Sequence, residues 1–296
     1  MSAVESIEVM GASSAPRRRS WIVRMFRGNL AAVLGAVVVV LVTVTALFAP
    51  YLAPYSPDEI NLRNRMKPPS VEHVLGTDEV GRDLLSRIIW GSRVSLMVGA
   101  VSVVIASAAG ITLGLLAGYF GGRVDRTVMG IMDVMLSFPL LLLAMVLVAV
   151  LGQSLLNIMI AVGISSIPQY ARVVRSSVLS VREREFVEAG VAMGAHHLRI
   201  IWKHILPNVA GPIIVMATIR IANAILIEAS LSFLGMGDPT APTWGSIVAS
   251  GRPYIETAPW ISAFGGLAIT LTVLGLNLLG DGLRDHFDPR LRRLAN

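Results

Sequence analysis

The chain has 296 residues, of which 54% are hydrophobic and only 15% charged, whereas soluble domains carry about a quarter charged residues. This composition excludes a soluble globular domain and defines an integral membrane protein. The formal net charge is +6 and there is no cysteine, so disulfides and thiolate metal sites are excluded as well.

Residues 1–16 are small and polar and read as disordered. Within 20–27, Trp21, Ile22, Met25 and Phe26 recur at helical spacing between cations, the pattern of a short elbow helix lying in the membrane interface. Residues 1–27 thus form a tail and elbow. The uncharged run 28–57 is long enough to cross the bilayer. It leads into Tyr51-Leu52-Ala53-Pro54 rather than a small-residue cleavage site, so it reads as a retained anchor helix. The proline-rich stretch 50–73 is expected to be extended and outside the membrane. Helical period resumes over 81–90, where Leu84, Leu85, Ile88 and Ile89 share a face, Asp83 and Arg87 are spaced as an ion pair, and Trp90 can anchor at headgroup depth. The first span and its external segment therefore cover 28–93.

A five-helix core follows over 94–283, and a short tail over 284–296. Uncharged runs at 94–122, 134–171 and 257–280 mark spans. The second is too long for one crossing and breaks at Leu151-Gly152-Gln153-Ser154 into two helices. A further span over 209–235 is interrupted by Arg220 and Glu228. The reading is all-α with six transmembrane helices. The loop 236–259, with Trp244 and Tyr254, is either an ordered, membrane-skimming segment that meets a partner or an aromatic belt at the interface.

Placing the N-terminus in the cytoplasm puts 17 of the 25 Lys and Arg residues on that side, five in the N-terminal tail, two at 123 and 126, six over 172–203 and four after 282. Seven lie on the other side and Arg220 within a span. Cytoplasmic termini satisfy the positive-inside rule. The same placement accounts for the positive charge without nucleic acid, because Arg17-Arg18-Arg19 beside a hydrophobic helix is a topology signal and a contact for lipid headgroups.

Between two hydrophobic stretches lies a cation-rich insert, 180–208. Ser180 and Glu183 have capping-box spacing and predict a helix start. Gly194 can end that helix in a left-handed conformation. A second short helix places Leu198, Ile201, Trp202 and Ile205 on one face, and Pro207 marks entry to the next span. Two short helices at an angle make a knob, which either docks a partner or is simply a solvated loop. His196, His197 and His204 lack a carboxylate or cysteine at ligand spacing, so no metal site is read there.

Charge inside the membrane is costly, so Asp133, Arg220 and Glu228 are expected to face the interior, a water-filled path or one another. Arg220 and Glu228 lie about 12 Å apart along the axis, too far for a direct pair. Glu228 either lines the outer part of a path or bonds a neighbouring helix or partner. Asp133 is assigned to Arg123 or Arg126.

The insert resembles the "EAA" loop of ATP-binding-cassette importer permeases: Glu188-Ala189-Gly190, Gly194, His204, Leu206 and Pro207 fall at that loop's spacings. Gly190 stands where the pattern has a second alanine, and His204 where it has isoleucine, a change familiar in the peptide-importer branch. Further blocks, including Gly76-Thr77-Asp78-Glu79-Val80-Gly81-Arg82-Asp83, Leu136-Ser137-Phe138-Pro139 and Glu228-Ala229-Ser230-Leu231-Ser232-Phe233-Leu234-Gly235, resemble "C"-type permeases for dipeptides, oligopeptides and nickel. The resemblance covers about 25–293. It implies a type I importer permease in a bacterial or archaeal cytoplasmic membrane. It also implies a related permease subunit as heterodimer partner, two ATPase subunits holding ATP and Mg, and an extracytoplasmic binding protein. The chain itself would hold no cofactor and catalyse nothing, in keeping with the absence of a Walker-type glycine loop. Within it, 180–208 would be the coupling loop, with Glu188 and Gly194 positioning it in the ATPase groove. The competing reading is a stand-alone secondary transporter or channel, for which inverted repeats would be expected and none is found.

Overall fold

The computed structural model describes residues 29–287. Eleven α-helices are seen in that range: α1 (Leu30–Leu47), α2 (Ala49–Leu52), α3 (Leu84–Phe120), α4 (Gly122–Leu136), α5 (Leu140–Leu151), α6 (Leu155–Arg182), α7 (Glu185–Ala192), α8 (His197–Ile200), α9 (Leu206–Phe233), α10 (Trp244–Gly251) and α11 (Pro259–Phe287). Among the described residues there is no strand, only an isolated bridge between Thr77 and Asp83. The expected elbow at 20–27 and most of the tail after 284 lie outside the described residues.

By length and composition α1, α3, α8 with α9, and α11 can each cross a membrane, and the bent pair α4 and α5 could form a fifth span. Two breaks bound α5. The first, at Ser137–Pro139, went unread in the sequence and turns the chain by 90°; it leaves α5 only 12 residues long. The second falls between Leu151 and Leu155 as expected, and the Ser154 side chain caps α6 by accepting from the Asn157 N–H. Conversely, the sequence separates 81–90 from the span at 94–122, whereas the structure runs them together as one helix of 37 residues. At 1.5 Å per residue this helix is about 55 Å long, well beyond the roughly 30 Å of hydrocarbon, so its first turns stand outside.

Helix α3 packs most extensively against α6, and glycine makes that possible. Gly110, Gly114 and Gly118 repeat every four residues on one face of α3. A Cβ added to Gly114 would lie 2.7 Å from both the Ala171 carbonyl oxygen and the Val174 Cβ, and one on Gly118 would lie 2.8 Å from the Val178 Cβ. With no side chain between them the two backbones approach closely, the packing available where lipid removes the hydrophobic drive between helices. Higher up the seam, the Ser102 hydroxyl donates to the Met159 carbonyl at 3.0 Å. Polar groups of α6 are satisfied locally, since Ser165 and Ser166 donate to the carbonyls of Ala161 and Val162 at 2.7 and 2.8 Å.

The segment before α3 is ordered by a buried charge network. Asp78 accepts from the Arg82 Nε at 2.6 Å and also pairs with Arg87. Arg87 therefore does not pair with Asp83, as its spacing suggested. Asp83 instead caps α3, accepting from the Ser86 N–H at 2.8 Å, and binds His73 Nδ1 at 2.9 Å. Trp260 Nε1 donates to the Thr77 carbonyl at 3.1 Å and ties the segment to α11. The loop 236–259 is ordered and folded inward. Trp244 is buried, its backbone N–H donating to the Ser95 hydroxyl and its indole N–H to the Ile88 carbonyl.

Burial alone would push the Asp78 carboxyl up, but the guanidiniums of Arg87 and Arg82 and the Arg82 backbone N–H outweigh it and hold the group below its ordinary value of 3.8. A carboxylate held low in the folded state stabilises the fold above its ordinary value, and that contribution disappears as pH falls through the lower folded value. We expect Asp78→Asn to lower stability at pH 7 by about 3–5 kcal/mol, because it strands buried guanidiniums. The variant should also lose less stability than the parent below pH 4, as read by thermal unfolding in detergent. Gly114→Leu should destabilise by about 1–3 kcal/mol through overpacking of the seam. Gly130 has nothing within 4 Å of its would-be Cβ, so Gly130→Ala should not destabilise in the same assay.

Candidate functional site at the helical knob and the membrane interior

Helix α6 continues through Arg182 before breaking, so the start expected at Ser180 is displaced and α7 begins at Glu185 behind Arg184. Ser180 lies inside α6 because nothing interrupts that helix where it leaves the bilayer. Helix α7 then ends as the sequence indicates. Gly194 adopts φ +74°, its N–H donates to the Val191 carbonyl at 2.9 Å, and the Ala195 N–H reaches the Gly190 carbonyl at 3.1 Å. This is the paired hydrogen-bond pattern of a Schellman cap, which satisfies carbonyls the helix end would otherwise strand.

The second knob helix is not separate from the span. α8 passes through one π-helical stretch, Ile201–Ile205, directly into α9. Pro207 has no N–H for the carbonyl four residues back, and the widened turn relieves that mismatch. The Asn208 side-chain amide donates to the His204 carbonyl at 2.6 Å. The buried face also differs from the expectation. Ile200, Ile201 and Ile205 are buried, whereas Leu198 and Trp202 are exposed, Trp202 by 64%. The continuous helix is rotated so that isoleucines meet the spans.

Val187, Ile200, Ile201 and Ile205 share one core with Leu115 and Tyr119 of α3, Val174, Val178 and Val181 of α6, and Val209 of α9. Polar contacts reinforce it. Tyr119 and His197 share a hydrogen bond of 2.8 Å, and Arg182 donates to the Tyr119 carbonyl at 2.9 Å. Arg175 holds Asp125 with two hydrogen bonds, its Nη2 lying 2.6 Å from Oδ2. Asp133 pairs with Arg172 at 2.6 Å, not with Arg123 or Arg126, because it stands near the end of α4 rather than its start. Tyr119 and His197 are 78 residues apart, and no local pattern announces them.

The exposed surface of the knob mixes charged and apolar side chains. Val191, Met193, Leu198 and Trp202 are exposed, Met193 by 81%, beside exposed Glu188 and Ala189, with Pro207 also exposed and His204 and Leu206 half-buried. A cleft of about 560 Å³ is lined by residues including Glu188, Arg182 and His197.

Glu228 and Arg220, both in α9, are not brought together. Glu228 is 1% exposed and accepts from the hydroxyls of Ser232 and Thr243 at 2.8 and 2.7 Å. It faces the interior of this chain and fastens α10 to α9, while its second oxygen has no partner. Arg220 is half-buried with an unpartnered Nε.

Spans that continue into an exposed helical knob define a multi-pass membrane component built to work with a partner on one face. Comparison with known proteins names the family. Residues 110–293 match the family described as binding-protein-dependent transport system inner membrane component, and residues 18–69 the N-terminal TM domain of oligopeptide transport permease C. The chain belongs to the first of these families, the permease components of binding-protein-dependent transport. It is 46% identical over 270 residues to the dipeptide transport system permease protein DppC of Alkalihalophilus pseudofirmus, covering 91% of this chain and 89% of that one. To the di/tripeptide transport system permease protein DppC of Pseudomonas aeruginosa it is 45% identical, covering 95% and 94%. A glutathione transport system permease protein, GsiD of Pectobacterium atrosepticum, is 43% identical, covering 94% and 92%. In fold it resembles a chain of the inward-facing MetNI methionine ABC transporter, with a TM-score of 0.57 and 21% identity over 69% of this chain and 98% of that one.

Gly190 is a departure from the family's loop pattern that the geometry tolerates, since the nearest atom to its would-be Cβ is 4.0 Å away on Ile200. We expect Gly190→Ala to raise stability by up to about 1 kcal/mol through helix propensity. Gly194→Val should lower it by about 1–3 kcal/mol through left-handed strain. Thermal unfolding of the purified protein reads both.

Proposed function

We propose that the chain is a permease subunit of an ATP-driven importer that moves peptides across the bacterial cytoplasmic membrane. Its six spans are α1, α3, the bent pair α4 and α5, α6, α9 and α11, with both termini in the cytoplasm. It works beside a related permease subunit, two ATPase subunits that bind ATP and Mg, and an extracytoplasmic binding protein. The chain itself is non-catalytic and holds no cofactor. The observation that carries the reading is the shared core. The knob's isoleucines pack into the ends of α3, α6 and α9, so a displacement of the knob displaces three long helices at once. Glu188, Ala189, Gly190 and Gly194 present the docking helix, and His204, Leu206 and Pro207 join it rigidly to α9. Arg220 faces the translocation path, and Glu228 holds the outer helix α10 against that path's wall. Peptides are the cargo by analogy with the dipeptide and di/tripeptide permeases it is similar to.

The chain has no native cysteine, which makes single-cysteine probes unambiguous. Ala192→Cys should react only with membrane-permeant maleimides in intact cells and crosslink to the ATPase subunit in the assembled complex. Met193→Asp with Trp202→Asp should insert normally yet lower both the crosslink and ATP-driven dipeptide uptake more than tenfold, since charge is introduced where apolar contact is needed. Labelling from outside, or uptake that persists without the ATPase, would overturn the assignment and favour a stand-alone transporter.

A further inference from the structure

Three buried polar groups without partners lie at a similar depth halfway along their helices. Arg220 is the fifteenth residue of the 28 in α9, and Gln169 and Tyr170 are the fifteenth and sixteenth of the 28 in α6. The two helices run in opposite directions from the same knob, so their midpoints lie at one depth. Tyr170 is 0% exposed and shares a core with Met216 of α9, against which Ala217 and Ile221 also pack; these three bracket Arg220 in sequence. The Tyr170 hydroxyl, Gln169 Oε1 and Arg220 Nε are each buried, and none has a hydrogen-bond partner.

No ion pair to Arg220 occurs among the described residues, all of whose carboxylate pairs go to other cations. Glu228 is two turns away and occupied by Ser232 and Thr243. A guanidinium at mid-membrane depth without a counter-charge is costly and marks a functional position. Lipid headgroups do not reach that depth.

We propose that Arg220 and Tyr170 form a mid-membrane site for the terminal carboxylate of a peptide in transit. This rests on the peptide-importer reading above. The chemistry matches group by group. The Arg220 and Tyr170 side chains donate hydrogen bonds, and a carboxylate accepts them in a fork geometry suited to guanidinium. A neutral solute would leave the guanidinium uncompensated.

The test uses the complete transporter in proteoliposomes, with its binding protein saturated, and compares uptake of alanyl-alanine with that of alanyl-alanine amide. The parent should favour the free acid by about tenfold or more, the discrimination expected from hydrogen bonds to a charged group. Arg220→Gln should abolish that preference by slowing the acid about tenfold more than the amide, and Arg220→Lys should restore part of it. Tyr170→Phe keeps the ring and should reduce the preference severalfold, which gives a reading even where Arg220→Gln fails to assemble. An unchanged acid-to-amide ratio in these variants overturns the proposal. So does an equal loss of both compounds with weakened subunit association, which would assign Arg220 to a carboxylate of the neighbouring permease. An intact parent complex that carries neither compound defeats the peptide reading itself, and the site with it.

Discussion

The close approach of α3 and α6 is the constraint on which the other features rest. Three glycines spaced by four residues remove the side chains that would hold the backbones apart, and in lipid only such contact and polar pairing give helices specific affinity. The seam fixes Tyr170 at mid-depth at one end and presents Leu115, Tyr119, Val174 and Val178 to the knob at the other. A knob on loosely packed helices would tilt alone. Mounted on this pair, it shares their motion.

Polar burial supplies the remaining specificity. Before α3, Asp78 with Arg82 and Arg87, and Asp83 with His73, order a segment too rich in proline for regular helix. Within the bundle Glu228 performs the same service, joining α9 to α10 through two hydroxyls. Breaking either network strands a buried polar group, which costs more than the intact contact contributes.

The readable part of the fold was the part written in local pattern. The run 28–57, the break at 151–154 and the positive φ of Gly194 follow from hydropathy, turn residues and backbone sterics over a few positions. The misreadings have one origin. Ser180 and Glu183 have capping spacing, but α6 is held helical beyond them by its contacts with the end of α3. Asp83 and Arg87 are correctly spaced for one another, yet Asp78 and His73 arrive from the external segment and take both. Leu198 and Trp202 share a predicted stripe with Ile201 and Ile205, but only the two isoleucines are buried, joined in the core by Ile200, while Leu198 and Trp202 stay exposed.

Composition and short-range spacing therefore determined that this chain lives in a bilayer, where most of its helices lie and which side carries the excess of cations. Those properties depend on the solvent each segment prefers and on bonds closed within four or five residues. Which charges pair, which face of the knob is dry, and that Gln169, Tyr170 and Arg220 share a depth were decided only by tertiary packing. Each depends on two segments tens of residues apart, and the competition for a buried polar partner is resolved by whichever group the fold brings nearest.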